Sequence, residues 1–121
     1  MIVVVEDHDD SRRALGLFLG QAGANVVLAS NAVEAIDAIK NKRPSLVLSD
    51  IQLPGCDGFQ LLREIRALGS NAGGSVPVIA ISGFLNQEDR TRILSAGFQG
   101  FLPKPFSPET LLETISTVLA D

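Results

Sequence analysis

Five short apolar runs recur along the chain, and each is followed by turn or polar residues. The runs are rich in β-branched and aliphatic residues and are shorter than typical helices, which indicates strands buried in a sheet. These predicted strands are Ile2–Val5, Asn25–Ala29, Ser45–Ser49, Val76–Ile81 and Phe101–Leu102. The pattern therefore predicts five strands.

The segments that follow these runs predict five helices, because their apolar residues recur three and four positions apart. The fourth helix carries little beyond Ile93 and Leu94, so we expect it to be the least firmly packed. The inward stripes predicted for the others are Leu15, Phe18, Leu19 and Ala22; Ala32, Ala35, Ile36 and Ile39; Leu61, Leu62, Ile65 and Leu68; and Leu111, Leu112, Ile115 and Leu119.

Residues that favour helix ends mark several boundaries. Asn31 with Glu34 three residues later predicts a capping box for the second helix, and Asn86 can cap the fourth. Ser107 as N-cap, with Pro108 in the first turn, starts the fifth helix. The glycine-rich segment 69–75 predicts a flexible connector ahead of the fourth strand.

The alternation of strands and helices predicts an α/β fold. It requires a doubly wound, five-stranded parallel sheet with helices on both faces. Ligands of such sheets bind beyond the carboxyl ends of the strands. We expect the second strand to lie at an edge, and the order 2-1-3-4-5 satisfies this and places Asp50 centrally. The residues at the strand ends are Glu6-Asp7, Ser30, Asp50, Ser82 and Lys104.

Length and composition narrow the class of protein. The 121 residues fit a single domain over residues 1–121, and 45% hydrophobic with 20% charged residues excludes a disordered chain. No apolar run approaches the roughly 20 residues that span a bilayer. The net charge of -4 and the lack of a basic tract argue against nucleic acid as a direct partner. A single cysteine, with no signal segment after Met1, favours the cytoplasm.

Asp50 is the central candidate residue, because an apolar run stops at this carboxylate and then turns through proline and glycine. An ordinary solvated aspartate at the start of a loop is the alternative. Glu6, Asp7 and Asp50 would repel one another by about 1 kcal/mol per pair or more, and a hard divalent cation relieves that repulsion. Magnesium suits such oxygen ligands, and the backbone carbonyl of Gln52 is a further candidate ligand.

Two groups on the other side of Asp50 suit phosphate oxygens. The hydroxyl of Ser82 is a donor, and the ammonium of Lys104 is a point charge. A carboxylate flanked by a metal ion and a lysine can act as a phosphoryl acceptor. The residues therefore indicate phosphoryl chemistry at Asp50.

The chain resembles, from end to end, the receiver domains of two-component response regulators, which have a flavodoxin-like fold. The runs 81–84 and 102–106 look most like those of receivers carried by hybrid histidine kinases. The residues that carry the resemblance are the acidic pair Glu6-Asp7, Asp50 with Pro54 and Asp57-Gly58, Ser82-Gly83, and Phe101-Leu102-Pro103-Lys104-Pro105.

The resemblance implies a phosphorelay function. Asp50 would take a phosphoryl group from a phosphohistidine on a histidine kinase or a histidine phosphotransfer protein. Glu6, Asp7, Asp50 and the Gln52 carbonyl would bind Mg²⁺. The domain would be a regulatory phosphoacceptor that assists its own phosphorylation and dephosphorylation, and not an enzyme in its own right.

The resemblance also implies a switch. Ser82 and Lys104 would contact the phosphoryl oxygens, Phe101 would be the switch aromatic, and Lys104–Pro105 would be a cis peptide. We expect the readout on the face of the fourth helix, fifth strand and fifth helix. Many family members have threonine at position 82 and tyrosine at position 101. Because phenylalanine lacks a hydroxyl, a switch at Phe101 must work by packing.

Three other classes of protein fit the same fold. A phosphatase with an aspartyl-phosphate intermediate would need a second aspartate two residues after the nucleophile, where this chain has Gln52. A flavin-binding electron carrier would need a hydroxyl- and glycine-rich loop after the first strand, where the acidic segment 6–10 would repel phosphate. A phosphorylation-independent interaction module should lack the acceptor, the acids or the lysine, and all are present.

Several residues near the site receive a structural interpretation. His8 and Cys56 lack the spaced partner ligands of a zinc site, so we expect both to be bystanders. Asp9 and Asp10 are interpreted as charges at the N terminus of the first helix. Gly73-Gly74 is interpreted as part of the connector, because no Gly-Lys-Ser/Thr follows it.

Overall fold

The computed structural model describes residues 1–53, 55–83 and 87–120. Among the helices of these residues, none has the length and apolar character needed to cross a membrane. The elements in chain order are β1 (Ile2–Val5), α1 (Asp9–Gln21), β2 (Val26–Ala29), α2 (Ala32–Lys42), β3 (Leu46–Asp50), α3 (Gly58–Ala67), a 3₁₀ turn (Ser70–Ala72), β4 (Val78–Ser82), α4 (Gln87–Ala96), β5 (Gly100–Pro103) and α5 (Pro108–Leu119).

The five strands form one parallel sheet in the order β2-β1-β3-β4-β5. This confirms the predicted fold class and the position of the second strand at an edge. The predicted fourth strand begins two residues too early, because the Val76 amide bonds back to the Gly73 carbonyl and does not join the sheet. Asp50 pairs with Ile81 across β3 and β4, so the candidate carboxylate belongs to the end of the central strand.

Alternate residues of each strand enter two separate apolar layers, one on each face of the sheet. On one face, side chains such as Val5 and Val47 pack with α2, α3 and α4. On the other face, Val4 and Leu48 pack with α1 and α5. Because helices cover both faces, the strands are buried and their ends are the part of the sheet that reaches solvent.

The inward face of α5 differs from the predicted one. Leu111 and Ile115 are buried as expected, but Leu112 and Leu119 are exposed. The third inward position is Val118, which approaches Gly100 of β5 so closely that a Cβ there would lie 3.2 Å from a Val118 methyl carbon. Leucine spacing alone did not indicate this, because the close approach depends on a glycine in another element.

The inward face of α1 is also narrower than predicted. Leu15 and Leu19 are buried in the apolar layer that α1 shares with α5. Phe18 is only half-buried and Ala22, which caps the helix, is exposed. Part of the Phe18 side chain therefore remains exposed at the surface.

Packing of α4 is thin, as expected, and one residue of the predicted pair faces inward while the other is exposed. Ile93 is the buried residue among the α4 side chains that the structure describes, and Leu94 is 53% exposed. Two arginines of α4 lie over aromatic rings of neighbouring elements, Arg90 at 5.2 Å from the Phe101 ring centre and Arg92 at 4.2 Å from that of Phe59. The predicted cap at Asn86 lies outside the described residues.

The connector before β4 is folded, which corrects the prediction of a flexible segment. The Gly74 amide donates to the Gly69 carbonyl at 2.8 Å, and a Cβ at Gly74 would lie 2.7 Å from Gly69 backbone atoms. The Arg66 guanidinium donates to the carbonyls of Gly74 (2.9 Å) and Val76 (2.7 Å). Burial lowers the pKa of Arg66. Sequence patterns gave no sign of this contact, because its partners are backbone atoms.

At the N terminus of α2, one of the two hydrogen bonds of the predicted capping box forms and the other does not. The Asn31 side chain accepts a hydrogen bond from the Glu34 amide at 2.9 Å. The Glu34 carboxylate, however, accepts from the amide and hydroxyl of Ser30, both at 2.7 Å, one residue before the cap. These hydrogen bonds lower the pKa of Glu34. The predicted caps at Ser107 and the acidic first turn at Asp9 and Asp10 are confirmed.

Candidate functional site

The candidate site lies at the carboxyl edge of the sheet, where β1, β3, β4 and β5 end side by side. Glu6 follows β1 directly, Asp50 and Ser82 are the last residues of β3 and β4, and Lys104 follows β5. The Lys104 amide donates to the Ser82 carbonyl at 2.8 Å, which extends the sheet to the lysine itself. Backbone pairing thus brings four predicted residues to one edge.

The last residues of the loop between β3 and α3, Asp57 and Gly58, pack tightly against the strand end. Asp57 caps α3 by accepting from the Gln60 amide at 2.8 Å. A Cβ at Gly58 would lie 2.8 Å from the Asp50 carbonyl oxygen and from the Ile51 Cα, so only glycine fits at this position without displacement. The Asp57-Gly58 pair therefore has a structural role, because it lets the chain turn close behind Asp50.

Asp50 is nearly buried, with 5% of its surface exposed, and each of its carboxylate oxygens has a donor. Oδ1 accepts from the Gln52 amide at 3.0 Å, and Oδ2 lies 2.9 Å from the Lys104 ammonium. Burying a carboxylate is costly unless it is paired and hydrogen-bonded, and both conditions are met. Asp50 is therefore held in one orientation by two different elements.

Glu6 shares the same lysine. Its carboxyl group is 1% exposed, Oε2 lies 3.3 Å from the Lys104 ammonium, and Oε1 accepts from the His8 amide at 3.1 Å. Burial, followed by the neighbouring Asp50 carboxyl, raises the pKa of Glu6. Burial acts to lower the pKa of Lys104, but its hydrogen bond to Asp50 and the charges of Asp50 and Glu6 outweigh this and raise it.

Asp7 carries the clearest sign of a missing partner. Its Oδ1 is buried and makes no hydrogen bond to any residue that the structure describes, although the His8 ring nitrogen lies 3.3 Å away. The contact to His8 is one of charge and proximity, without hydrogen-bond geometry. A buried carboxylate oxygen without a donor is expensive, and a cation removes that cost.

His8 is closer to the acids than expected. Its Nδ1 lies 3.1 Å from Glu6 Oε1, and ligand atoms of Glu6, Asp7 and His8 all lie within 4.8 Å of one another. The Glu6 hydrogen bond and then the Asp7 charge raise the pKa of His8. His8 therefore contacts the acidic pair, and its interpretation as a bystander to the metal site stays a prediction. Cys56 is half-buried against the apolar layer, where burial raises its pKa.

The remaining predicted residues flank this cluster. Ser82 is half-buried and lines a cavity of about 210 Å³ together with Gln52 and Arg92. Phe101, on β5, is half-buried against the apolar layer under α4, with the Arg90 guanidinium over its ring. The Lys104–Pro105 peptide is cis, as predicted. Neither arginine contact was predicted.

A further arginine supports the acidic loop and was missed by the sequence analysis. Arg12, in the first turns of α1, donates from Nη1 to the backbone carbonyls of Glu6 at 2.9 Å and Asp7 at 3.4 Å. Its Nη2 pairs with the Asp9 carboxylate. No periodicity marks such a residue, because its main partners are carbonyl groups five and six positions earlier.

These groups fit a hard divalent cation. The acidic pair and Asp50 supply oxygen ligands, which Mg²⁺ prefers, and Asp7 has an oxygen without a donor. Gln52 is placed two residues after Asp50, and its amide is already bound to that carboxylate. Asp7, Asp50 and the Gln52 carbonyl are the groups that would bind the ion, with Glu6 beside them.

The sheet and its carboxyl edge define an α/β domain that presents a buried aspartate near an acidic pair, with one lysine in contact with both Asp50 and Glu6. The model of the response regulator receiver domain matches residues 2–116, so the chain belongs to this family. The family is that of two-component signalling, as the resemblance indicated.

Proteins similar in sequence include both response regulators and a kinase. A 14.6 kDa protein encoded in the sodA1 3′ region of Leptolyngbya boryana is 37% identical over 94% of this chain and 86% of its own length. The response regulator MprA of Mycobacterium sp. (strain KMS) is 35% identical over 98% of the chain. The sensor histidine kinase RcsC of Escherichia coli (strain K12) is 33% identical over 96%. The chain spans 50% of MprA and 12% of RcsC.

Solved structures agree with the fold. The chemotaxis protein CheY4 of Vibrio cholerae superposes with a TM-score of 0.88 at 27% identity, over 97% of this chain and 96% of that one. The receiver domain of the sensor histidine kinase PA1611 of Pseudomonas aeruginosa has a TM-score of 0.87 at 31% identity, over 99% and 97%. That structure holds a magnesium ion in its active site cleft.

We predict that Mg²⁺ stabilises the folded protein through Asp7. A cation relieves repulsion among carboxylates that are assembled only in the folded state. At ten times its dissociation constant, Mg²⁺ should add about 1.4 kcal/mol, which raises the melting temperature by several degrees. Thermal unfolding with and without millimolar MgCl₂ measures this shift.

Asp7→Asn should abolish most of the shift. Asp37→Asn, at an exposed position of α2, is the matched control and should keep it. An equal response to Mg²⁺ in wild type and Asp7→Asn would contradict the assignment of Asp7.

Proposed function

We propose that residues 1–121 form a single receiver domain that accepts a phosphoryl group on Asp50 in a Mg²⁺-dependent phosphorelay. The observation that carries the proposal is the environment of this carboxylate. Asp50 is nearly buried at the end of the central strand, its Oδ2 lies 2.9 Å from Lys104, and an acidic pair with an oxygen lacking a donor lies beside it. Such an arrangement suits an acceptor that is fixed in place before the donor arrives.

The chemistry is a transfer between two groups. An Asp50 oxygen attacks the phosphorus of a phosphohistidine, the P–N bond breaks, and the electron pair remains on the imidazole, which takes a proton. The product on this chain is an aspartyl phosphate. Mg²⁺, when bound, neutralises charge on the phosphoryl oxygens and aligns them with the acceptor.

Lys104 provides the fixed positive charge of the reaction. Its ammonium now lies between Asp50 Oδ2 and Glu6 Oε2, at 2.9 and 3.3 Å. A phosphoryl group on Asp50 brings additional acceptor oxygens within reach of the same ammonium. Because its ammonium already contacts Asp50, Lys104 can stabilise the phosphoryl group during transfer without first moving into the site. The Ser82 hydroxyl, at the end of the neighbouring strand, is the second donor.

The domain is regulatory in this proposal. An aspartyl-phosphate phosphatase would need a carboxylate two residues after the acceptor, to act as general acid. Position 52 is glutamine, and its backbone amide supports the Asp50 carboxylate. The chain thus holds the phosphoryl group and assists its arrival and loss, with water as the final acceptor.

The phosphoryl donor would be a histidine kinase or a histidine phosphotransfer protein. An open, largely apolar cleft of about 550 Å³ lies between α1 and α5, and its rim reaches Glu6 and Lys104. Ala14, Phe18 and Phe106 line it, which explains why Phe18 is only half-buried. A protein donor has apolar surface to pack there, whereas the acidic net charge disfavours nucleic acid and anionic membranes as direct partners. We propose that this phosphoryl transfer takes place in the cytoplasm.

Phosphorylation would be read out on the face of α4, β5 and α5. Additional acceptor oxygens on Asp50 draw the Ser82 hydroxyl inward, and the Phe101 ring moves into the space that this leaves. Among the side chains that the structure describes, α4 buries only Ile93, fewer than any other α-helix, so it is the helix that costs least to displace. Because Phe101 has no hydroxyl, its outward position is held by packing and by the Arg90 guanidinium, 5.2 Å from the ring centre.

Amide-shift mapping by NMR tests this readout. With Mg²⁺ and a phosphoryl mimic, we expect large changes in α4 and β5 as well as around Asp50. Changes confined to the strand ends, with α4 and β5 unaffected, would contradict the proposed face.

The acceptor itself is tested by mass spectrometry of the intact protein after incubation with Mg²⁺ and acetyl phosphate. The wild type should gain one phosphoryl group, and Asp50→Asn should gain none, because an amide oxygen is a poor nucleophile. Asp57→Asn is the matched control, since asparagine also caps helices well, and it should still be phosphorylated. A phosphoryl adduct that survives Asp50→Asn would refute the assignment.

A further inference from the structure

We propose that Arg12 is a positioning residue for the cation site. It would hold the backbone of Glu6 and Asp7 so that both carboxylates are aimed at the edge of the sheet beside Asp50. This inference rests on the proposed function, because it assigns a role in the Mg²⁺ site on which phosphoryl transfer depends.

The contacts of Arg12 link the acidic loop to α1. Nη1 donates to the carbonyl oxygens of two consecutive residues, Glu6 at 2.9 Å and Asp7 at 3.4 Å. The Arg12 amide also donates to the His8 carbonyl at 2.9 Å, within the first turn of the helix. The side chain is 16% exposed, so it is packed beneath the loop and does not extend into water. Two successive peptide groups are thus fixed relative to the helix.

The geometry leaves the Asp7 carboxylate available. The guanidinium binds the carbonyl groups of Glu6 and Asp7, and its second nitrogen pairs with Asp9, which lies outside the predicted metal ligands. Asp7 Oδ1 consequently remains without a hydrogen bond from any described residue. An arginine that paired with the Asp7 carboxylate would compete with a cation, whereas one that binds the backbone fixes the ligand and leaves its oxygens open.

The residue type matters for this role. A guanidinium carries donors in a rigid planar fork and can bind a carbonyl and a carboxylate together. A lysine at the same position would supply charge but only a flexible point donor. Asp9, at the start of α1, fixes the orientation of the fork, a role additional to its favourable interaction with the helix dipole.

The experiment compares Arg12→Ala, Arg12→Lys and Arg13→Ala in the full chain. Arg13 is the exposed neighbour on the same helix and serves as the matched control. Mg²⁺ titrations followed by backbone amide shifts give the dissociation constant of each variant. Urea unfolding without Mg²⁺ gives its stability, which separates a general loss of structure from a loss at the metal site.

We expect Arg12→Ala to raise the Mg²⁺ dissociation constant about tenfold or more, the usual scale for groups that orient metal ligands. Arg12→Lys should give a smaller increase, and Arg13→Ala should match the wild type. The amides of Glu6, Asp7 and His8 should shift in Arg12→Ala before any metal is added, since their backbone has lost its support.

Lower stability of Arg12→Ala with an unchanged dissociation constant would show a merely structural role and overturn the inference. If Arg12→Ala does not fold, Arg12→Lys decides the question, because a folded lysine variant with wild-type affinity for Mg²⁺ also overturns it. Failure of the proposed function is distinguishable, since the wild type itself would then neither bind Mg²⁺ nor form the adduct at Asp50.

Discussion

Two buried carboxylates compete for a single ammonium group at the carboxyl edge of the sheet, and the organisation of the site follows from this shortage of positive charge. Lys104 lies within 3.3 Å of both Glu6 and Asp50, while Asp7 adds a third carboxylate nearby. The Lys104 ammonium cannot by itself balance two buried carboxylates and a third, partly exposed carboxylate beside them. The site therefore favours a ligand that brings positive charge, and its hydrogen bonds hold the Asp50 carboxylate in place.

The fold supplies the rigidity that such a charge imbalance requires. The central strands are buried between two apolar layers, and the close packing of Gly58 against the Asp50 carbonyl leaves the strand end no room to move. The thinnest helix packing is that of α4, which buries Ile93 among its described side chains and rests partly on cation–π contacts of Arg90 and Arg92. A stiff site beside one loosely packed helix is the arrangement that lets a local change in charge become a change in surface shape.

Sequence patterns predicted the sheet order and the residues at its strand ends, because apolar runs define buried strands and parallel strands end at one edge. They failed where a contact depends on distant geometry. Leu112 and Leu119 were placed inward because a helical stripe does not reveal which of its flanks a neighbouring element covers. Arg12 and Arg66 were missed because both bind backbone carbonyls, which every residue carries. The contact of His8 with Glu6 was not predicted, because ligand spacing does not reveal a loop that folds back on its own acids.

In the loaded site, Asp50 would contact a cation on one side and Lys104 on the other. A crystal structure of the protein with Mg²⁺ and beryllofluoride, a mimic of the phosphoryl group, tests this arrangement. We predict beryllofluoride on an Asp50 oxygen, Mg²⁺ bound by Asp7 and Asp50, and the Lys104 ammonium on a fluoride. Beryllofluoride on another carboxylate, or Mg²⁺ bound away from both aspartates, would contradict this arrangement.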